Sequence, residues 1–156
     1  MNKQEVLNLI IAKLIEDAEL YLRAARSAQF EATDEQSKAE NKYDTRGLEA
    51  SYLARGQSRQ AAETEQALSQ FQALPSRPFA PDDLIDIGAL VELKGPRERA
   101  FYFIGPSMGG IEVIYEGREI TVITPPSPLG QQLVGHKTGD KVTLPSGQER
   151  RIASVQ

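Results

Sequence analysis

The chain has 156 residues, 40% of them hydrophobic and 26% charged, with a formal net charge of −4; this is ordinary for a water-soluble protein of one domain or two small ones. The absence of cysteine excludes a disulfide framework and a thiolate zinc site, and the acidity argues against whole-chain attraction to nucleic acid. The first apolar stretch, Val6–Leu22, is broken by Lys13, Glu16, Asp17 and Glu19, too charged for a membrane span or signal core, so a cytoplasmic protein without a membrane partner is expected.

The N-terminal half predicts two helices. In the first, Ile10, Leu14, Ala18, Tyr21, Ala25, Ala28 and Ala32 recur at helical spacing; in the second, Gly47, Ala50, Ala54, Gln57, Ala61, Thr64, Leu68 and Phe71 do the same. Small seam residues let helices approach closely, so an antiparallel coiled-coil hairpin is expected over residues 1–74. The turn is expected between Ala32 and Glu40, with Thr33–Gln36 as the bend and Ser37 as the cap of the second helix, in a Ser37-x-x-Glu40 capping box. Thirty-odd helical residues make an arm about 45 Å long.

Composition changes at Leu74. All nine prolines follow it. Residues 75–84, which include Pro75, Pro78 and Pro81, read as a stiff linker, because each proline fixes φ and disfavours helix in the residue before it. Residues 85–156 read as strands at Ala89–Leu93, Ala100–Ile104, Ile111–Tyr115, Ile120–Thr124, Lys141–Leu144 and Arg150–Val155, rich in β-branched and aromatic residues. One short helix, Pro128–Val134, interrupts them: Ser127 is the N-cap candidate, Pro128 suits the first helical position, and Gly135 suits a left-handed residue just past the end. The fold class is α+β, a helical hairpin followed by an antiparallel sheet domain with one short helix.

Chemistry could lie at the hairpin tip. Glu31, Asp34, Glu35, Glu40, Asp44 and Glu49 are opposed there only by Lys38, Lys42 and Arg46. Carboxylates on a rigid arm can supply oxygen ligands to Mg²⁺ or orient a water for attack on a phosphodiester. The same acids also suit a helix N-terminus through the macrodipole. Lys42 and Arg46 lie one turn apart, as a docking face or as an ordinary solvated surface. Tyr43 and Tyr52 read as packing or snorkelling residues. Arg23 and Arg26 fall level with Tyr43 and Arg46 across the hairpin, a small basic patch that RNA phosphate could meet. His136, the only histidine, reads as a polar residue after a helix end. No nucleophile elbow, P-loop or dinucleotide fingerprint is present, so no self-contained active site and no obligate small-molecule ligand are expected.

The run Ser127–Val142, S-P-L-G-x-x-L-x-G-x-x-x-G-D-x-V, resembles the C-terminal domain of the bacterial Gre transcript-cleavage factors. The residues that carry it are Ser127, Pro128, Leu129, Gly130, Leu133, Gly135, Gly139, Asp140 and Val142, with Ile87-Gly88 upstream. The order of hairpin, linker and sheet domain resembles that family too, and Glu40-Asn41 followed by Tyr43 resembles an element of the Gre hairpin tip. The resemblance implies an FKBP-like fold for the C-terminal domain, which docks on bacterial RNA polymerase at the rim of the secondary channel while the hairpin passes down it, close to the nascent RNA 3′ end. It implies an accessory factor rather than an enzyme. Tip carboxylates, here Glu40 with Asp44, Asp34 or Glu35, would share Mg²⁺ with the polymerase active site, the free protein holding no metal. Asn41, Tyr43 and Arg46 would bind at the tip, and Ser127, Pro128, Leu129, Gly130, Gly135, Gly139 and Asp140 would form the C-terminal binding motif.

The family tip reads G-D-L-x-E-N, and three positions before Glu40 this chain has Ser37 in place of the aspartate. Two further readings therefore stand beside cleavage stimulation: a non-catalytic channel occupant, or an FKBP-like binding module whose helical arm mediates oligomerisation.

Overall fold

The computed structural model describes residues 1–33 and 46–156, Arg46 by its backbone alone. α1 spans Lys3–Thr33 and α2 spans Arg46–Gln72. α1 starts where Asn2 accepts hydrogen bonds from the backbone N–H groups of Gln4 and Glu5 at 3.0 and 3.3 Å, an N-cap that orients the first turn. It continues through Thr33, placed in the bend by sequence, whose hydroxyl donates back to the carbonyls of Gln29 and Phe30 within the helix. The expected Ser37 cap lies outside the described residues.

Packing divides the chain into two units. One comprises Met1–Ala12 with Ser69–Gln156, and the other Lys13–Leu68. The second is the arm of the helical hairpin. Its buried stripe is Leu14, Ala18, Ala25 and Ala28 on α1, and Ala50, Ala61, Thr64 and Ala67 on α2. Thr64 satisfies its hydroxyl by donating to the Gln60 carbonyl at 2.7 Å, so it can sit in the seam without an unpaired polar atom. Ala67 is buried deeper than Leu68, which sequence periodicity had placed on the stripe.

The first unit is built on a six-stranded sheet. Its strands are β1 (Leu90–Lys94), β2 (Arg99–Ile104), β3 (Glu112–Tyr115), β4 (Arg118–Ile123), β5 (Lys141–Thr143) and β6 (Glu149–Val155), with α3 (Pro128–Leu133) between β4 and β5. The spatial order is β3-β4-β2-β1-β6-β5. All neighbours are antiparallel except β2 and β4, which run parallel, so the sheet is mixed. The chain leaves β2, places β3 at the edge, and turns back through Glu116 and Gly117, both at positive φ (50° and 74°). Two consecutive left-handed residues are the signature of a tight hairpin turn whose twist matches the strands. β4 is thereby returned into the gap beside β2.

Two apolar layers stabilise this unit. On one side Ile85, Val91, Leu93, Ile104, Ile123, Leu133, Val142 and Ile152 form the core with α3. Phe79, from the proline-rich stretch, joins that cluster, and its ring carries the ammonium of Lys3 at 4.8 Å and the guanidinium of Arg77 at 4.4 Å. On the other side Phe71, at the end of α2, stacks on Phe103 with centroids 6.3 Å apart. Gly105 makes that possible: a Cβ there would lie 2.8 Å from both the Phe71 ring and Val122. Ser107 donates to Gln70 and Tyr115 to Glu5, each at 2.6 Å, fixing the helix ends in this unit.

Candidate functional site

The C-terminal motif is the part of the expected site that the structure brings together. Ser127 is the N-cap of α3. Its hydroxyl accepts from the Gly130 N–H at 3.0 Å and donates to the Thr124 carbonyl at 2.6 Å. Pro128 takes the first helical turn, where its missing N–H costs nothing. Gly130 faces Thr124 so closely that a Cβ would come within 1.9 Å of that carbonyl oxygen. Leu129 packs on the core and Leu133 is fully buried.

Past the helix, Gly135 adopts φ 85° and donates its N–H to the Ile85 carbonyl at 3.0 Å. Gly139, at φ 93°, donates to the Ile152 carbonyl at 2.8 Å, and the Asp140 carboxylate accepts from the Lys137 N–H at 3.0 Å. Ser127, Gly130, Gly135, Gly139 and Asp140 thus each hold a specific backbone geometry. Together they set α3 against the sheet and aim the chain into β5. What the motif leaves at the surface is Pro128, Gln131, Gln132 and the rim of the 135–140 loop.

The tip residues named from sequence, Asp34, Glu35, Glu40, Asn41, Tyr43 and Asp44, lie outside the described residues. Arg46 is placed as the first residue of α2. Among the described residues no group of three His, Cys, Asp or Glu side chains could hold a metal ion. No helix among them is long and apolar enough to cross a membrane. His136 follows α3, as read from sequence; its N–H bonds the Leu133 carbonyl and its carbonyl accepts from Ile85, while its Nδ1 is buried without a partner.

Sequence periodicity missed the apolar surface of the distal arm. Phe30 is 72% exposed and Tyr52 61% exposed, and Leu48 and Leu53 are exposed with them. Tyr52, read as a packing or snorkelling residue, instead stands in solvent with the Arg55 guanidinium 5.6 Å from its ring. These side chains fall off the alanine stripe, which is the signal that could have found them. A groove of about 560 Å³ also opens over the starts of β2 and β4, lined by Arg99, Tyr102, Arg118, Glu119 and Thr121 among others. Burial pushes the Tyr102 hydroxyl up from its ordinary pKa, with Arg150 opposing and Glu98 reinforcing the shift.

Three solved structures resemble the chain over nearly its whole length. GreA factor homolog 1 (Gfh1) of Thermus thermophilus is 22% identical, with 94% of each chain covered and a TM-score of 0.39. A structure of the transcription factor Gfh1 is 25% identical, with 94% of this chain and 92% of that chain covered, also at 0.39. Gfh1 of Thermus aquaticus is 23% identical, with 93% and 92% covered and a TM-score of 0.37. No protein-family model and no curated protein matches the chain.

Proposed function

We propose that this protein is a Gre-like transcription elongation factor. It binds bacterial RNA polymerase through its sheet domain and inserts the hairpin tip into the secondary channel, where it rescues backtracked complexes by stimulating cleavage of the transcript. The observation that carries this reading is the Ser127–Val142 run, in which every fixed position of the Gre-like pattern has a geometric task, from the Ser127 cap to the buried Val142. Its glycines sit where φ is positive or where a Cβ cannot fit. The hairpin of 31- and 27-residue helices ahead of it supplies the reach.

In this reading Glu40, with Asp44, Asp34 or Glu35, presents carboxylates beside the catalytic Mg²⁺ of the polymerase, which supplies the Lewis acid. The role of the chain is to position carboxylates and orient water, and hydrolysis belongs to the polymerase. Ser37 favours a second reading, a channel occupant that does not stimulate cleavage, since it puts a hydroxyl where the resemblance asks for an acid.

The test is transcript cleavage in purified backtracked elongation complexes with Mg²⁺, run beside a binding assay to the same polymerase. Shortened RNA 3′ ends that are lost in a Glu40→Ala/Asp44→Ala variant, with binding kept, support cleavage stimulation. Binding without cleavage selects the channel occupant. Absence of binding overturns both and leaves the FKBP-like module, which predicts stable self-association.

A further inference from the structure

Strand register assembles a feature that lies beyond the polymerase reading. Lys141 of β5 pairs with Arg151 of β6, Arg151 pairs with Lys94 of β1, and Lys94 pairs with Arg99 of β2. β2 and β4 run in parallel with Phe101 opposite Ile120, so two residues earlier Arg99 stands beside Arg118. Five cations, one from each of five adjacent strands, form a single row across the sheet. At about 4.8 Å per strand the row is about 19 Å long.

Residues directly opposite in a sheet share a face, and like charges so placed repel. All five side chains are exposed. On their face lie Glu92, which holds Arg99 at 2.8 Å, Glu149, and Glu5, whose carboxylate accepts from the hydroxyl of Tyr115, the β3 partner of Arg118. Among the described residues Lys94, Lys141 and Arg151 have no ion pair. The contrast with Arg150 is instructive: on the opposite face, 10% exposed, it is paired with Glu98 and Gln148. A chain of net charge −4 has acids to spare, yet among the described residues none pairs with Lys94, Lys141 or Arg151.

We infer that this row binds the sugar–phosphate backbone of a single nucleic-acid strand. A polyanion supplies evenly repeated charge, which suits a row with one cation per strand better than scattered carboxylates do. Phe101, two residues along β2 from Arg99 and on the same face, carries the Arg118 guanidinium 5.4 Å from its ring. An aromatic ring beside a cationic track is how proteins stack bases of single strands without reading their sequence. Engagement of three to five phosphates gives a log–log salt slope of about −2 to −3.5.

The test is fluorescence anisotropy of a labelled 20-nucleotide single-stranded RNA with the full chain, from 50 to 200 mM salt. The parent is expected to bind with that slope. Lys94→Gln/Lys141→Gln/Arg151→Gln should weaken binding by about 30-fold or more at 50 mM salt and reduce the slope by about 2. The charge-matched control Lys13→Gln/Arg55→Gln/Arg59→Gln should bind as the parent does. Phe101→Leu should weaken binding without changing the slope. Equal melting temperatures of parent and row variant establish that the loss is not one of folding. No RNA binding at 50 mM salt, equal weakening by the control, or tighter binding of a labelled oligoglutamate of matched charge would overturn the proposal, the last in favour of an acidic polypeptide.

Discussion

The arm and the base-and-sheet unit solve the same problem with different side chains. Among the described residues, eleven of the twelve largest fully buried side chains, including Phe71, Phe103, Ile10 and Ile152, lie in Met1–Ala12 or Ser69–Gln156; Leu14 belongs to the arm. Apart from Leu14, what the described part of the arm buries is alanines and one threonine. An alanine removes little apolar surface from water, while each leucine, isoleucine or phenylalanine contributes about 1.5–3 kcal/mol when fully buried. The arm therefore depends more on helix propensity, and the other unit on a large core.

The largest effect expected from this contrast is at Phe71. Phe71→Ala should cost about 3–5 kcal/mol, read as a lower urea midpoint at unchanged slope. If it costs under 1 kcal/mol, the helix ends are not part of the sheet unit's core. Gly130→Ala comes next. A Cβ cannot be accommodated against the Thr124 carbonyl, and a loss of about 3 kcal/mol is expected, at the upper end of overpacking. Under the proposed function, polymerase affinity should then fall only as far as the folded fraction does, because Gly130 is buried against Thr124.

In the arm, Ala25→Gly should cost about 1 kcal/mol of helix propensity. Native-state hydrogen exchange should show the change in residues 13–33 and 46–68 while the strands keep their protection. Loss spread evenly over both units would dissolve the comparison. The smallest effect is at Tyr115, whose hydroxyl donates to Glu5. That bond raises the tyrosine pKa above its ordinary value near 10. A group held protonated in the folded state stabilises fully below the unfolded pKa, and the contribution is lost as pH rises through the raised folded value. Tyr115→Phe should accordingly lower the melting temperature slightly at neutral pH and reduce the loss seen above pH 10.

Much of this was legible in the sequence for local reasons. The six strands and α3 announce themselves through β-branched runs cut by glycine and proline, and the Ser127 cap and left-handed Gly135 are properties of a few neighbouring residues. The parallel pairing of β2 with β4 was not legible, because it depends on where β3 is laid down rather than on the composition of either strand. Nor was the cation row. Lys94, Arg99, Arg118, Lys141 and Arg151 are scattered over two turns, a helix and several loops, and only register aligns them. The composition break at Leu74 is real, but packing crosses it: Phe71 and the first residues of α1 belong with the sheet, since they carry the bulky side chains that the alanine stripe lacks. The tip carboxylates, where the functional reading is sharpest, fall outside the described residues.

The alanine seam also fixes a gauge. Helices that meet through methyl groups can approach more closely than helices that meet through leucines. Ala61 is 2% exposed, so a leucine there would push the arm's helices apart at a cost of about 1–3 kcal/mol. An aperture that admits the parent arm should then reject the thickened one, a selection by calibre rather than by chemistry.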